Sequence, residues 1–347
     1  MSDETKQSPE EWFHRKATDF VESQILYHLN RVGVWHALRK GPQTAHDLAL
    51  ALALVPEVLG ILLEYVVGVD RLLEHDDEGR FRLTAFGQDV LTRYGRDGQA
   101  TTTYNFFDVR VGSYGPVWAQ LGALLKGEVA YGRNLKRDGD RAEEAVYTVS
   151  KRLEKGFLGI VDSVAPEVIV ELGVTSGLLN VVGTERPAVS LVGMDRKEAA
   201  LKRAAAKASE EGVEGIAWLE GDLFELESWM PQSMPHQKGL LFSVHFHEFL
   251  AAGIDKVQAW LRTLSEELPG WTVVAIEQPA LPLSARDSVT ESEWLYNHSN
   301  ILIHHLIGNG HILSDVRWKR LFSEAGCEVE AIHPMEFLGY CGYVFRL

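Results

Sequence analysis

Val168-Ile169-Val170-Glu171-Leu172-Gly173-Val174-Thr175-Ser176-Gly177-Leu178-Leu179 decides how the rest of this 347-residue chain is read. An apolar run closes on an acid, two glycines come next, four residues apart, and an apolar face resumes. That is the pattern of a buried strand, a tight turn and a helix start. Glycine in such a turn permits positive φ or close approach of backbone to a ligand, and a helix start offers unbonded N–H groups. A nucleotide-like ligand suits the turn, with Glu171 placed to hydrogen-bond its hydroxyls or amine. On its own the pattern is weak, because ordinary βα turns share it.

The remainder of the carboxyl-terminal half strengthens it. Apolar runs predict strands at 168–172, 189–194, 216–219, 239–244 and 271–276, separated by helical segments that include 197–211 and 254–268. This alternation is the signature of an α/β sheet. Ser314 is placed to cap a further helix that ends at Gly326, and the runs 327–332 and 340–346 predict a closing antiparallel pair. In an open α/β sheet the ligand groups lie at the carboxyl ends of the strands. Here the first strand ends in the glycine turn, the second at Asp195, and the third leads into Gly221-Asp222-Leu223-Phe224. Asp195, 18 residues after Gly177, stands where an acid grips ribose hydroxyls. Asp222 is placed for an adenine amino group. A dinucleotide calls for G-x-G-x-x-G, whereas this chain has Gly173-x-x-x-Gly177.

The amino-terminal part reads differently. Residues 12–40 carry apolar side chains at helical spacing. Thr44 is a good N-cap with Asp47 three residues on, a helix starts at Pro56, and a hairpin is predicted across 72–84. This is the order of a winged helix-turn-helix. Its would-be recognition helix, however, contains no Lys or Arg and carries Glu57, Glu64 and Asp70. It lacks the donors that bases and phosphates require. The net charge of −15 also argues against nucleic acid or an anionic membrane as partner. We therefore expect dimerisation or scaffolding. The only cysteines, Cys327 and Cys341, form no disulfide framework, which fits a reducing cytoplasm. No apolar run has the length of a membrane span. The aromatic stretch Tyr104, Phe106, Phe107, Tyr114 and Trp118 is expected to be core, with some rings walling a substrate pocket.

With these motifs in view, the chain resembles the S-adenosylmethionine-dependent methyltransferases. More closely, it is similar to the dimeric small-molecule O-methyltransferases of secondary metabolism, over about residues 15–347. The resemblance implies a Rossmann-like, seven-stranded class I methyltransferase domain (161–347) behind an all-helical winged-helix dimerisation domain (1–160). It places the cofactor on Glu171, Gly173, Gly177, Asp195, Asp222, Leu223 and Ser243, and the family's catalytic His-Asp-Trp segment on His247-Glu248-Phe249. Thr175 stands where the family has its middle glycine, and Ser243 where a lysine is common.

Six of the thirteen histidines fall in two stretches: His245 and His247, then His298, His304, His305 and His311. Two chemistries suit them. His247 could act as general base on a substrate hydroxyl, oriented by Glu248 or a later carboxylate. Alternatively, His247, Glu248 and His305 would make a two-histidine, one-carboxylate set suited to Fe(II). That set resembles the iron-containing phenylpyruvate-type 2-oxo acid C-methyltransferases, where the metal favours the enol of the acceptor. A metal-dependent oxidase on the same fold, which no longer transfers methyl, is a third reading.

Overall fold

The computed structural model describes residues 8–94, 107–139, 146–147, 149–174, 176–230 and 238–347. Thr175, Tyr104 and Phe106 lie outside the described residues. The chain divides into two compact units, 1–128 with 135–145, and 129–134 with 146–347.

In the first unit α1 (Pro9–Arg31), α2 (Val34–Leu38), α3 (Ala45–Leu52) and α4 (Pro56–Val69) precede a hairpin of β1 (Leu73–His75) and β2 (Phe81–Leu83) and then α5 (Ala85–Tyr94). Short-range caps set the helix starts. Ser8 and Glu11 form a reciprocal capping box on α1, and the Thr44 hydroxyl accepts from the Asp47 N–H at 3.1 Å. The helices and hairpin close over a common core that includes Leu29, Trp35, Leu48, Leu63, Phe81 and Leu83. Two short helices, α6 (Gly115–Ala119) and α7 (Leu121–Leu125), come after them.

The second unit opens with α8 (Glu154–Val164). This helix buries Phe157, Ile160 and Val161 with sheet residues such as Ile169, Phe242 and Val274. Residues 146–160, expected in the first domain, thus group with the second unit, and α8 commits its apolar face to the sheet. Then come β3 (Val168–Leu172), α9 (Leu178–Glu185), β4 (Ser190–Asp195), α10 (Glu198–Glu210), β5 (Ala217–Glu220), β6 (Gly239–Val244), α11 (Ile254–Glu267) and β7 (Thr272–Glu277). The chain ends with α12 (Glu291–Leu306), α13 (Asp315–Glu324), β8 (Val329–Pro334) and β9 (Cys341–Arg346).

The sheet order is β5-β4-β3-β6-β7-β9-β8. β3 to β7 run parallel and β9 and β8 close the edge antiparallel. Residues alternate between the two faces. Val168, Val170 and Leu172 pack with Trp260, Trp318 and Phe322 on one side, while Ile169 packs with Phe157 and Leu179 on the other. Central strands buried on both faces read as unbroken apolar runs, which is why β3, β6 and β7 stand where the sequence predicts them. The strand order reverses between β3 and β6, the kind of switch point at whose carboxyl side open α/β sheets bind ligands.

Candidate active site

The parallel register brings the expected strand ends to one edge. Leu172 is level with Met194, Asp195 with Glu220, and Val244 with Ile276. The glycine turn, Asp195, Asp222, His247 and Glu277 therefore all succeed or close strands along the same carboxyl edge.

The half built from β3, β4 and β5 is held by local bonds. Gly173 and Gly177 both take positive φ, +82° and +69°, a backbone region that side chains resist. A Cβ at Gly177 would collide with the Tyr147 ring, whereas the Cβ direction of Gly173 points into open space. Buried Glu171 accepts the Ser176 N–H at 3.0 Å and the Ser176 hydroxyl. The acid thus braces the turn. Asp195 Oδ1 accepts the Lys197 N–H at 2.9 Å, and burial raises its pKa above the usual 3.8 despite that bond. Asp222 is exposed, and its Oδ1 accepts the Phe224 N–H at 2.9 Å. Leu223 is half-buried and packs against the core. Ser243 is buried on β6, its hydroxyl 3.4 Å from the Val244 carbonyl.

The half built from β6 and β7 is held across long sequence distances. β6 leads into His245, a non-glycine residue in the left-handed region (φ +69°, ψ +48°), which caps a 3₁₀ segment, Phe246–Ala252. His247 is 1% exposed. Its backbone N–H donates to Glu277 Oε1 at 2.6 Å, and its Nδ1 lies 3.0 Å from both Glu277 oxygens. Its Nε2 lies 3.0 Å from His304 Nδ1. Burial alone would depress the His247 pKa. The Glu277 carboxylate, helped by Glu248, outweighs it and holds the imidazole above the usual 6.5. With Nδ1 donating to the Glu277 carboxylate, the lone pair of the neutral ring is on Nε2, facing His304 Nδ1. Glu248 is held separately, accepting from Asn309 Nδ2 at 2.6 Å. The turn that carries Asn309 can lie this close because residue 310 is glycine: a Cβ there would collide with the His247 carbonyl.

The second histidine stretch is divided by helix phase. His304 faces His247, their ring centroids 4.3 Å apart. His305, the ligand expected from sequence, is exposed and turns its Nδ1 to the Ile301 carbonyl at 2.7 Å, with its ring beside His311. His298 lies against Trp294, their rings tilted by 33°. Adjacent helix residues point about 100° apart, so one of 304 and 305 faces inward, and burial of Asn297, Asn300 and Ile303 selects 304. Among the described residues, the group that could hold a metal ion is His247, Glu248 and His304, one ligand atom from each within 4.8 Å of the others. Glu277 belongs to this hydrogen-bonded cluster, although the sequence does not assign it there. Its one local signal is an acid closing a buried strand at the same edge as the others.

No family model matches the sequence. A 72-residue stretch is 39% identical to demethylspheroidene O-methyltransferase of Cereibacter sphaeroides. That match spans 21% of this chain and only 19% of the relative. Solved structures match over nearly the whole chain. Human N-acetylserotonin methyltransferase, in complex with SAM, is 16% identical, covers 99% of both chains and superposes with a TM-score of 0.69. The mitomycin 7-O-methyltransferase MmcR is 17% identical over 97% of both chains, with a TM-score of 0.75. The fold is that of the class I methyltransferases. LepI, solved in complex with SAM, shares it too, at 16% identity, 99% of this chain, 90% of its own and a TM-score of 0.67. A pericyclic reaction enzyme aligns equally well, at 16% identity and a TM-score of 0.67. The class I fold therefore does not by itself fix the chemistry, which is set by the groups at the site.

Proposed function

We propose that the protein is an S-adenosylmethionine-dependent methyltransferase of a small-molecule acceptor, with His247 as its general base. The observation that carries this reading is the grip of Glu277 on His247. Both carboxylate oxygens sit 3.0 Å from Nδ1, at the end of the strand beside the one that leads to the histidine. This buried pairing fixes the tautomer and aims Nε2 away from the carboxylate, as base catalysis requires.

The opposite half of the edge fits the cofactor. Gly173 leaves open space above the turn, Ser176 and Glu171 hold that turn rigid, and Asp195 and Asp222 stand at the next two strand ends to receive ribose hydroxyls and the adenine amine. Leu223 and Ser243 complete the set. When bound, S-adenosylmethionine supplies an electrophilic methyl group. The chain's own part is alignment and deprotonation: His247 receives the acceptor's proton at Nε2 by way of His304, whose Nδ1 lies 3.0 Å away and gives up its proton as the far nitrogen of its ring takes the acceptor's, and Glu277 stabilises the resulting imidazolium. Isothermal titration with S-adenosylhomocysteine tests the reading. Binding that Gly173→Val abolishes is the expected result, and no heat from the folded wild-type protein sinks it.

A second reading rests on the compact His247, Glu248 and His304 set. These three side chains supply two imidazoles and a carboxylate, the donor set of a facial Fe(II) site, with His304 taking the place expected for His305. A 2-oxo acid acceptor would suit it. Elemental analysis after purification without chelator decides: stoichiometric iron lost in His304→Ala favours this reading, and metal-free wild-type protein removes it.

The first unit would serve as a winged-helix dimerisation domain. Trp12, Phe13 and Phe20 on α1, and Val58 and Ile61 on α4, leave 48%, 69%, 64%, 55% and 71% of their surface exposed. Clustered exposed apolar side chains of this size mark an interaction surface. Light scattering should give twice the 38.8 kDa chain mass, and a monomer would end the dimer reading. No described helix is long and apolar enough to cross a membrane, and we infer a cytoplasmic setting from the two free thiols.

A further inference from the structure

Helix α12 buries an unusual face. Its buried residues are Asn297, Asn300 and Ile303, so two of the three are amides. Burying an amide costs free energy unless all its hydrogen bonds are remade, and apolar side chains would pack the same helix without that cost. The amides are committed to one short segment, the exit of β7. Asn297 Oδ1 accepts the Leu281 N–H at 3.0 Å, and its Nδ2 donates to the Pro279 carbonyl at 2.8 Å. Asn300 Nδ2 donates to Gln278 Oε1 at 3.2 Å. Gln278 in turn donates from Nε2 to the Leu338 carbonyl at 2.5 Å, tying in the β8–β9 turn. The residue before Gln278 is Glu277, which holds His247.

His304 is four residues beyond Asn300 and seven beyond Asn297, on the same helix face. We propose that the buried stripe of Asn297 and Asn300 is a positioning element. It locks the rotation of α12 on the β7 exit, so that His304 and not His305 meets His247. The inference rests on reading the His247 site as catalytic. Apolar packing alone tolerates small rotations of a helix, whereas directional bonds to Leu281, Pro279 and Gln278 do not. A rotation of one residue, about 100°, would break all of these bonds and carry His305 toward the site. Glu277 and Gln278, adjacent at the end of one strand, thus hold the two partners of the imidazole pair from a single anchor. His304 is the residue they bring to the pair, and the amides act through it.

The test is nitrogen NMR of ¹⁵N-histidine-labelled full-length protein, with the His247 and His304 rings assigned from His247→Gln and His304→Gln. The ring nitrogens of the wild type should show the hydrogen-bonded pair. Asn300→Leu should lose that signature and Asn300→Ser, which retains a donor toward Gln278, should recover it. Gln278→Met removes the same bond from the strand side and substitutes should Asn300→Leu fail to fold. Ile303→Val weakens apolar packing on the same helix and should leave the ring signals unchanged. Wild-type ring signals in folded Asn300→Leu or Gln278→Met overturn the proposal. So does an equal change in Ile303→Val, which would make the stripe ordinary packing. The rings are read without cofactor, so a wild type that binds no S-adenosylhomocysteine would refute the methyltransferase reading and leave this result standing.

Discussion

The two halves of the carboxyl edge are built by opposite means. At the ends of β3, β4 and β5 the acids bond to backbone a few residues away: Asp195 to Lys197, Asp222 to Phe224, Glu171 to Ser176. At the ends of β6 and β7 the bonds join residues far apart in sequence. His247 meets Glu277 across 30 residues and His304 across 57, Glu248 meets Asn309 across 61, and His245 meets Tyr340 across 95. The first half is a set of local turns, buried at Glu171 and exposed at Asp222. The second is a buried polar network, which in a low dielectric is rigid when fully bonded and costly when broken. The proposed methyl transfer needs both: adaptable grip on a cofactor that must be exchanged each turnover, and fixed geometry for the proton.

That contrast can be broken experimentally. The largest effect is expected from His247→Ala, which should slow methyl transfer by about 10²–10⁴-fold, measured with labelled S-adenosylmethionine against a panel of phenols and 2-oxo acids. Affinity for S-adenosylhomocysteine should be preserved. A matching collapse in affinity would mean the two halves are not separable. Next comes Glu277→Ala, which leaves a buried imidazole without its carboxylate and should cost about 3–5 kcal/mol in urea unfolding. A loss within the scatter of surface substitutions would show that the network is not rigid.

Gly177→Ala probes the other half. Its left-handed backbone carries about 1–2 kcal/mol of strain for a side chain, and the added methyl meets the Tyr147 ring. Cofactor affinity should fall while the ring NMR signals of His247 stay put. The smallest effect concerns pH. The folded His247 pKa is raised by Glu277 against the opposing effect of burial. Its stabilisation is therefore complete below the unfolded imidazole value of about 6.5 and is lost as pH rises through the higher folded value. The activity limb governed by the neutral base should likewise rise with pH above that ordinary value. In Glu277→Gln the limb should move to lower pH, and an unmoved profile would show that another group governs it.

Legibility in the sequence divides along the same line. The positive-φ turn at Gly173 and Gly177 and the strand-end positions of Asp195 and Asp222 can be read from sequence because turn chemistry and strand ends are written in adjacent residues. Glu277 is visible as the close of a strand but not as the partner of His247, since nothing in residues 272–277 refers to residue 247. His305 is preferred to His304 when the segment around it is read as an insertion without helix phase. The helix of residues 291–306 supplies that phase, and Asn297 and Asn300 are polar where periodicity reasoning looks for apolar side chains. The allegiance of α8 is hidden for a related reason: its apolar face predicts a helix but not which core receives it.

The sequence by itself determined the alternation of strands and helices, the apolar strands of the central sheet, and the glycine turn with its neighbouring acids. All of these arise from local backbone preference and from periodic burial. The tertiary structure alone decided that Glu277 holds His247, that His304 completes the pair, and that β7 anchors both. Those pairings are chosen by strand order and helix rotation, which bring together groups that the chain itself leaves dozens of residues apart.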